Sequence, residues 1–399
     1  MTTQVETVRS AEVVEEKFQT EQIMTIVGGH FVHDTYSAFL APLLPLLIER
    51  LSLSLTMAGS LWVFFSLPAL LNPFIGYLAD KFSVRYFVIL APAATATIMS
   101  SLGLTSNYFL LAIQLFLAGI SIAAFHAPAP AMVGRLSGNK LGKGMSYFMA
   151  GGELGRTVGP IVAVWGVSTF TLEGMPRVMV VGWATSLILY WRLRNIPGRS
   201  GQRQTLRAFL PAARRLFVPL VGIVVPRQFM ITALAVYLPT FMSMEGASLW
   251  VAGISLSILE LAGVIGALAG GTLSDRLGRK LVLILASVSS SALMILFLGA
   301  EGWLLVPILL ALGFTTLSTG PVMLAIVQEH LPDNRATANG LYISMAFLSR
   351  SLAALVLGFM GDRLGLQTTY LWATLISLLV IPMIFLLPKS EEGGPLATS

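Results

Sequence analysis

Six ionisable side chains interrupt stretches that are otherwise apolar: Asp34, Glu153, Arg156, Arg227, Glu260 and Arg350. Placing one charge at the centre of a bilayer costs about 2.5–3.5 kcal/mol on insertion scales, so such residues mark function by default. At 1.5 Å of rise per residue, all six fall at a similar depth in their segments, with His126 a little nearer the chain's own ends. The chemistry open to them is proton carriage by Asp34, Glu153, Glu260 or His126. Arg156, Arg227 and Arg350, with His33 and His30, are expected to bind an anionic group. His30, His33 and Asp34 have i, i+3 and i+4 spacing and so share one helical face. Glu153 and Arg156 are also i, i+3 and can pair. A plain structural use is open too, with Glu153–Arg156 and Glu260–Arg350 as ion pairs that lock helices together. Histidine titrates near neutrality. The His30–His33 spacing alone does not make a metal site, and neither a metal nor a cofactor is expected.

Those side chains need elements that cross a membrane. Of 399 residues, 55% are hydrophobic and 11% charged, against about 25% charged in soluble proteins. Mean hydropathy is +0.81. This excludes a soluble enzyme or a nucleic-acid-binding domain, and the net charge of +6 is no sign of DNA affinity. No cysteine is present, so disulfides, thiolate metal sites and cysteine nucleophiles are excluded. There is no P-loop, and no nucleophile–base pair of an enzyme is visible.

Scanning for apolar runs of about 20 residues gives twelve spans. They group as an acidic tail at 1–21, six spans in 22–194, a linker at 195–214, six spans in 215–388 and a short tail at 389–399. The linker holds Pro197, Gly198, Gly201 and several arginines. Nineteen Lys and Arg fall on the side of the termini and three (Arg50, Arg177, Arg363) on the other, which predicts cytoplasmic termini.

The halves repeat at an offset of 194 residues: Pro45 onto Pro239, Gly119 onto Gly313, His33 onto Arg227 and Arg156 onto Arg350. The segment GYLADKFSVR at 76–85 recurs as GTLSDRLGRK at 271–280, and a weaker copy, GFMGDRLG, lies at 358–365. Glycine allows a tight turn, and aspartate can accept hydrogen bonds from a helix amino terminus. Parallel halves, each built from inverted triplets, are the arrangement of the major facilitator transporters, and the chain resembles that superfamily along its spanned length. The resemblance implies an all-α integral membrane fold of twelve helices in two pseudo-symmetric six-helix halves. It also implies a conformational latch at Gly76, Asp80, Lys81 and Arg85, and at Gly271, Asp275, Arg276, Gly278, Arg279 and Lys280. The first copy departs at Ser83 and Val84.

Three segments, HFVHDTYSAFLAPLLPLL (30–47), AAFHAPAPAMVG (123–134) and GKGMSYFMAGGELGRTVGP (142–160), are similar to the fosmidomycin-resistance type of bacterial exporter. The matching residues are His30 and Asp34, Phe125 and His126, and the series Gly151, Gly152, Gly155, Gly159, Pro160, with Ala127 inserted before Pro128. Gly151, Gly155, Gly159 and Pro160 let another helix approach and bend the fifth span. The resemblance implies a proton-coupled antiporter in the bacterial inner membrane that exports a small anionic or zwitterionic compound or drug. Uptake of an anionic metabolite by proton symport is the other possibility on the same residues. Expected partners are the small-molecule substrate, protons and the lipid bilayer, with no nucleic acid, and the chain is expected to be a monomer.

Overall fold

The computed structural model describes residues 18–72, 75, 85–195, 209–331 and 335–387. Gly76, Asp80, Lys81, most of the linker and both tails lie outside the described residues. Ten helices among the described residues are long and apolar enough to cross a membrane, and Leu55–Leu71 is a shorter apolar one. Lys143–Leu193 runs for 51 residues. That is about 77 Å of helix, more than twice a bilayer core of about 30 Å. It crosses twice, turning where Thr171 takes a φ of 64° and a 3-10 turn spans Met175–Met179. With the shorter helix this makes twelve crossings among the described residues, as the apolar runs predict.

Among the described residues, four spans divide into two α-helices just ahead of a proline, whereas Pro45, Pro92, Pro160, Pro219, Pro226 and Pro239 lie inside helices that run on past them. Proline cannot donate to the carbonyl four residues earlier, and its ring crowds that carbonyl. The first span stops at Ser37 and restarts at Leu40, a two-residue break at Ala38, the residue four before Pro42. The fourth stops at His126 before Pro130, the tenth at Leu317 before Pro321, and the twelfth at Leu378 before Pro382. Two of these breaks fall within four residues of Asp34 or directly at His126. Both residues therefore sit at the end of a helical segment, inside the bundle.

The halves meet through two symmetric seams. A Cβ built on Gly59 of the second span would lie 2.3 Å from the Ala354 carbonyl oxygen of the eleventh. One on Gly253 of the eighth span would lie 3.5 Å from the Pro160 carbonyl oxygen of the fifth. The 194-residue offset maps Gly59 onto Gly253 and Pro160 onto Ala354, so the duplication read in the sequence is a two-fold relation in space.

The seams close at the end of the bundle away from the chain termini. There the Asp362 carboxylate accepts from the backbone N–H groups of Leu55 (2.7 Å) and Thr56 (2.8 Å), at the free amino end of the second span. Those donors have no partner within their own helix. Tyr237 donates to the Ala354 carbonyl at 2.7 Å, just beneath. Toward the other end, added Cβ atoms at Gly320 and Gly340 meet only open space.

The second copy of the repeated loop stays within its own half. Arg279 bridges Asp275 (2.6 Å) and Glu329 (2.7 Å), and Lys280 reaches the Leu387 carbonyl at 3.0 Å. Arg276 is exposed, and Gly278 turns the chain at a φ of 90°. A Cβ built on Gly271 would lie 3.9 Å from Pro321 Cβ. Arg85, in the first copy, opens the third span, Arg85–Ser100.

Candidate functional site

The first and fifth spans touch closely enough that only glycine fits. A Cβ at Gly155 would be 2.4 Å from the Phe31 carbonyl oxygen, and one at Gly159 2.6 Å from both Thr35 O and Ala38 Cβ. At Gly151 the obstacle is Val27. At Gly152 it is the His30 ring at 2.5 Å, with Asp34 Oδ2 at 3.1 Å. The glycine series is therefore the cradle in which Asp34 and His30 lie.

Around Asp34, which is 2% exposed, three cationic or protonatable groups converge. His30 Nε2 lies 3.4 Å from Oδ2, His126 Nε2 3.4 Å from Oδ1, and Arg156 Nη1 3.7 Å from Oδ2. Both histidines are fixed by backbone carbonyls: His30 Nδ1 donates to Phe148 O at 2.8 Å and His126 Nδ1 to Ile122 O at 3.1 Å. The His30 ring also stacks on Phe148 at 4.0 Å. Arg156 forms its ion pair with Glu153, as the i, i+3 spacing predicts, and its side chain remains 41% accessible. Asp34 is thus enclosed beneath a partly accessible guanidinium.

His33 is placed differently. Its ring is fully enclosed, stacked on Phe125 at 4.4 Å, and neither ring nitrogen has a hydrogen-bond partner.

The second half supplies Arg227, Glu260 and Arg350, all half-buried. Arg227 donates through Nε to the Thr319 hydroxyl and lies beside Tyr342. A cavity of about 20 Å³ adjoins it, lined by Ser287, Ser290, Thr315 and Ser377, room for about one water. Glu260 has Arg156, Glu153 and Arg350 as its charged neighbours. Among the described residues, however, neither Glu260 nor Arg350 has an ion-pair partner within 4.0 Å. The ion pair that would lock Glu260 to Arg350 is not formed. Glu153–Arg156 is.

The residues that sequence reasoning left out are Phe148, Thr319, Tyr342 and Asp362. Phe148 acts through its carbonyl and ring face, which no motif signals. Asp362 had a signal in the weak third copy of the loop motif, on the opposite face of the bundle.

Residues 26–354 match the Major Facilitator Superfamily. The chain belongs to that superfamily. It is 24% identical over 372 residues to the fosmidomycin resistance protein of Escherichia coli, covering 90% of each chain. Among solved structures, a bacterial homologue of the human lysosomal transporter Spinster superposes with a TM-score of 0.77 at 15% identity, covering 94% of this chain and 97% of that one. A D-xylose–proton symporter superposes with a TM-score of 0.73 at 16% identity, over 95% and 100%. Members of this superfamily with such names are membrane transporters, and this chain is a multi-pass transporter of the same fold. Exporters and symporters share the architecture, so direction must be sought in the charge layer itself.

Proposed function

We propose that this chain is a proton-coupled antiporter that exports a small anionic or zwitterionic organic compound by alternating access. The single observation carrying this reading is Glu260, a half-buried carboxylate that has no cation within 4.0 Å among the described residues and whose charged neighbours include Arg156 and Arg350. A carboxylate taken partly out of water with no cation in contact is costly. Glu260 therefore takes either a proton or a hydrogen-bond-donating group of the substrate, an ammonium or a hydroxyl. The two occupants exclude each other, and exclusion is what antiport requires. The anionic end of the substrate is held by Arg156 and Arg350, with Arg227 further into the second half.

The direction of travel follows from orientation. With the termini in the cytoplasm, as the 19-to-3 charge bias favours, the closed end at Asp362 faces outward. Substrate then enters from the cytoplasm. After the halves rock, a proton arriving from outside takes Glu260 and expels it. An anion leaving and a proton entering both run down an inside-negative potential, each charge contributing about 2.3 kcal/mol per 100 mV.

The Glu153–Arg156 pair specifically favours a second reading. An anion that draws Arg156 away leaves Glu153 unpaired and ready for a proton, so the two ligands would bind together, as in symport. The sign of the linked proton separates the readings. A drug and metabolite sensitivity panel, headed by fosmidomycin, on cells with and without the chain identifies a substrate. With that compound and the purified protein in weak buffer, binding releases protons if antiport is correct and takes them up if symport is. Because the chain has no cysteine, Arg50→Cys and Arg276→Cys single-cysteine variants test orientation. An impermeant maleimide added to whole cells is expected to label only the first.

The inner membrane, a monomeric state and the division into halves at 195–214 belong to the same proposal.

A further inference from the structure

The cluster at Asp34 holds more nitrogen lone pairs than proton traffic needs. Carbonyl oxygens only accept, so the Nδ1 atoms of His30 and His126 carry the protons they donate to Phe148 and Ile122. In each neutral ring the other nitrogen, Nε2, is then a bare lone pair. Those two atoms face each other at 3.3 Å, and each is 3.4 Å from an oxygen of the Asp34 carboxylate. A proton on one Nε2 satisfies the contact between the rings or one contact to the carboxylate, whereas a metal cation between the three groups satisfies all of them at once.

We infer that His30 Nε2, His126 Nε2 and the Asp34 carboxylate form a binding site for a divalent first-row transition-metal ion such as Zn²⁺.

Four features of the cluster fit such an ion. Zinc binds imidazole nitrogen and carboxylate oxygen at about 2.0–2.2 Å, so two ligands of a regular tetrahedron stand about 3.4 Å apart. Here the two Nε2 atoms stand 3.3 Å apart, and each is 3.4 Å from a different oxygen of the Asp34 carboxylate, Oδ2 for His30 and Oδ1 for His126, close to that edge. Imidazole with carboxylate is a donor set suited to Zn²⁺ and its neighbours. Metal-binding histidines commonly donate their other N–H to a backbone carbonyl, which fixes tautomer and ring orientation, and both do so here. Access is available as well, because the His126 side chain is 36% exposed while Asp34 and His30 are enclosed. The ion enters past His126, and its fourth position is left for water or an anion.

The opposing element is the Arg156 guanidinium, 3.7 Å from Asp34 Oδ2. It is already engaged by Glu153 and is accessible enough to move off. His33 is not a ligand, since its nitrogens do not join the convergent set.

The site does not depend on the direction of transport or on the substrate. It is tested on the full-length, detergent-purified protein carrying a Strep tag, with Zn²⁺ or Co²⁺ as the only added ligand. The expected result is one Zn²⁺ per chain, with Co²⁺ giving the intense visible bands of tetrahedral coordination. His126→Ala is expected to weaken zinc at least tenfold, and His330→Ala to leave it unchanged. The decisive variant is His126→Cys. In a chain otherwise free of cysteine, a thiolate-to-cobalt charge-transfer band appears only if position 126 is a ligand. Less than one zinc per folded chain, binding that survives His126→Ala, or cobalt spectra of His126→Cys without that band would overturn the site. None of these outcomes bears on proton release at Glu260, so the two proposals stand or fall separately.

Discussion

The two halves share a fold and a history, yet their polar interiors differ. In the first, His30, Asp34, His126, Glu153 and Arg156 converge through contacts of 3.3 to 3.7 Å and one ion pair. At the equivalent positions of the second stand Val224, Gln228, Gly320, Phe347 and Arg350. Only the arginine is kept. The second half instead adds Glu260, where the first has Ser66, and Arg227, where the first has His33. The cradle differs in step: Gly152, against which His30 lies, corresponds to Ala346, and Gly155 to Ser349. Duplication supplied the scaffold, and the halves then divided the chemistry. The first holds a compact cluster of imidazoles, carboxylates and a guanidinium, and the second, in Arg227, Glu260 and Arg350, a set of charges without ion-pair contacts among the described residues.

The largest expected effect breaks the feature common to both halves. Arg156→Ala removes an anion-binding group and unpairs Glu153 together. Truncating one member of a buried charge pair costs about 2–5 kcal/mol. Its partial exposure argues for the lower half of that range, so transport should fall about 30- to 400-fold. Arg156→Lys should rescue little, because the planar fork that serves two carboxylates is lost. This is read as substrate flux in liposomes.

Next comes the residue that only the second half has. With protons and substrate competing for Glu260, apparent affinity rises with pH, since fewer protons contest the site. Glu260→Gln should make affinity flat with pH and leave flux indifferent to an imposed pH gradient. Asp34→Asn, in the first half, should leave that pH dependence in place.

The third prediction tests the cradle. Gly152→Ala gives the first half the residue the second already has. The added methyl meets an enclosed ring tied at Nδ1, so a strain of about 1–3 kcal/mol is expected. It is read as a lower melting temperature, with zinc affinity falling at least tenfold. The reciprocal change, Ala346→Gly, should affect neither zinc nor the pH dependence.

The smallest effect is at Thr319→Val, which removes one hydrogen bond to Arg227. That is about 0.5–1.5 kcal/mol, a two- to tenfold loss of substrate affinity with pH dependence unchanged.

Much of this was legible in the chain itself. Scarce charge made the central layer visible, and the 194-residue repeat gave the two-fold seams, because Gly59 and Gly253 recur at that offset. The pairing of Glu153 with Arg156 follows from helical spacing alone. What could not be read was contact between distant segments. His30 meets His126 from 96 positions away, and nothing local to either announces it. The isolation of Glu260 is equally non-local: spacing places it level with Arg350 but not within reach of it. Asp362 was recognisable as a motif fragment, yet its role at the amino end of the second span depends on how the halves close.

The most direct measurement of the central claim is the proton count on substrate binding, taken with the purified wild-type protein and Glu260→Gln in weakly buffered solution. Binding and proton linkage are reciprocal, so competition at Glu260 requires that substrate expel protons. The expected result is release approaching about one proton per substrate near neutral pH, falling toward zero in Glu260→Gln. Proton uptake on binding, or release that Glu260→Gln leaves intact, would contradict antiport through this residue.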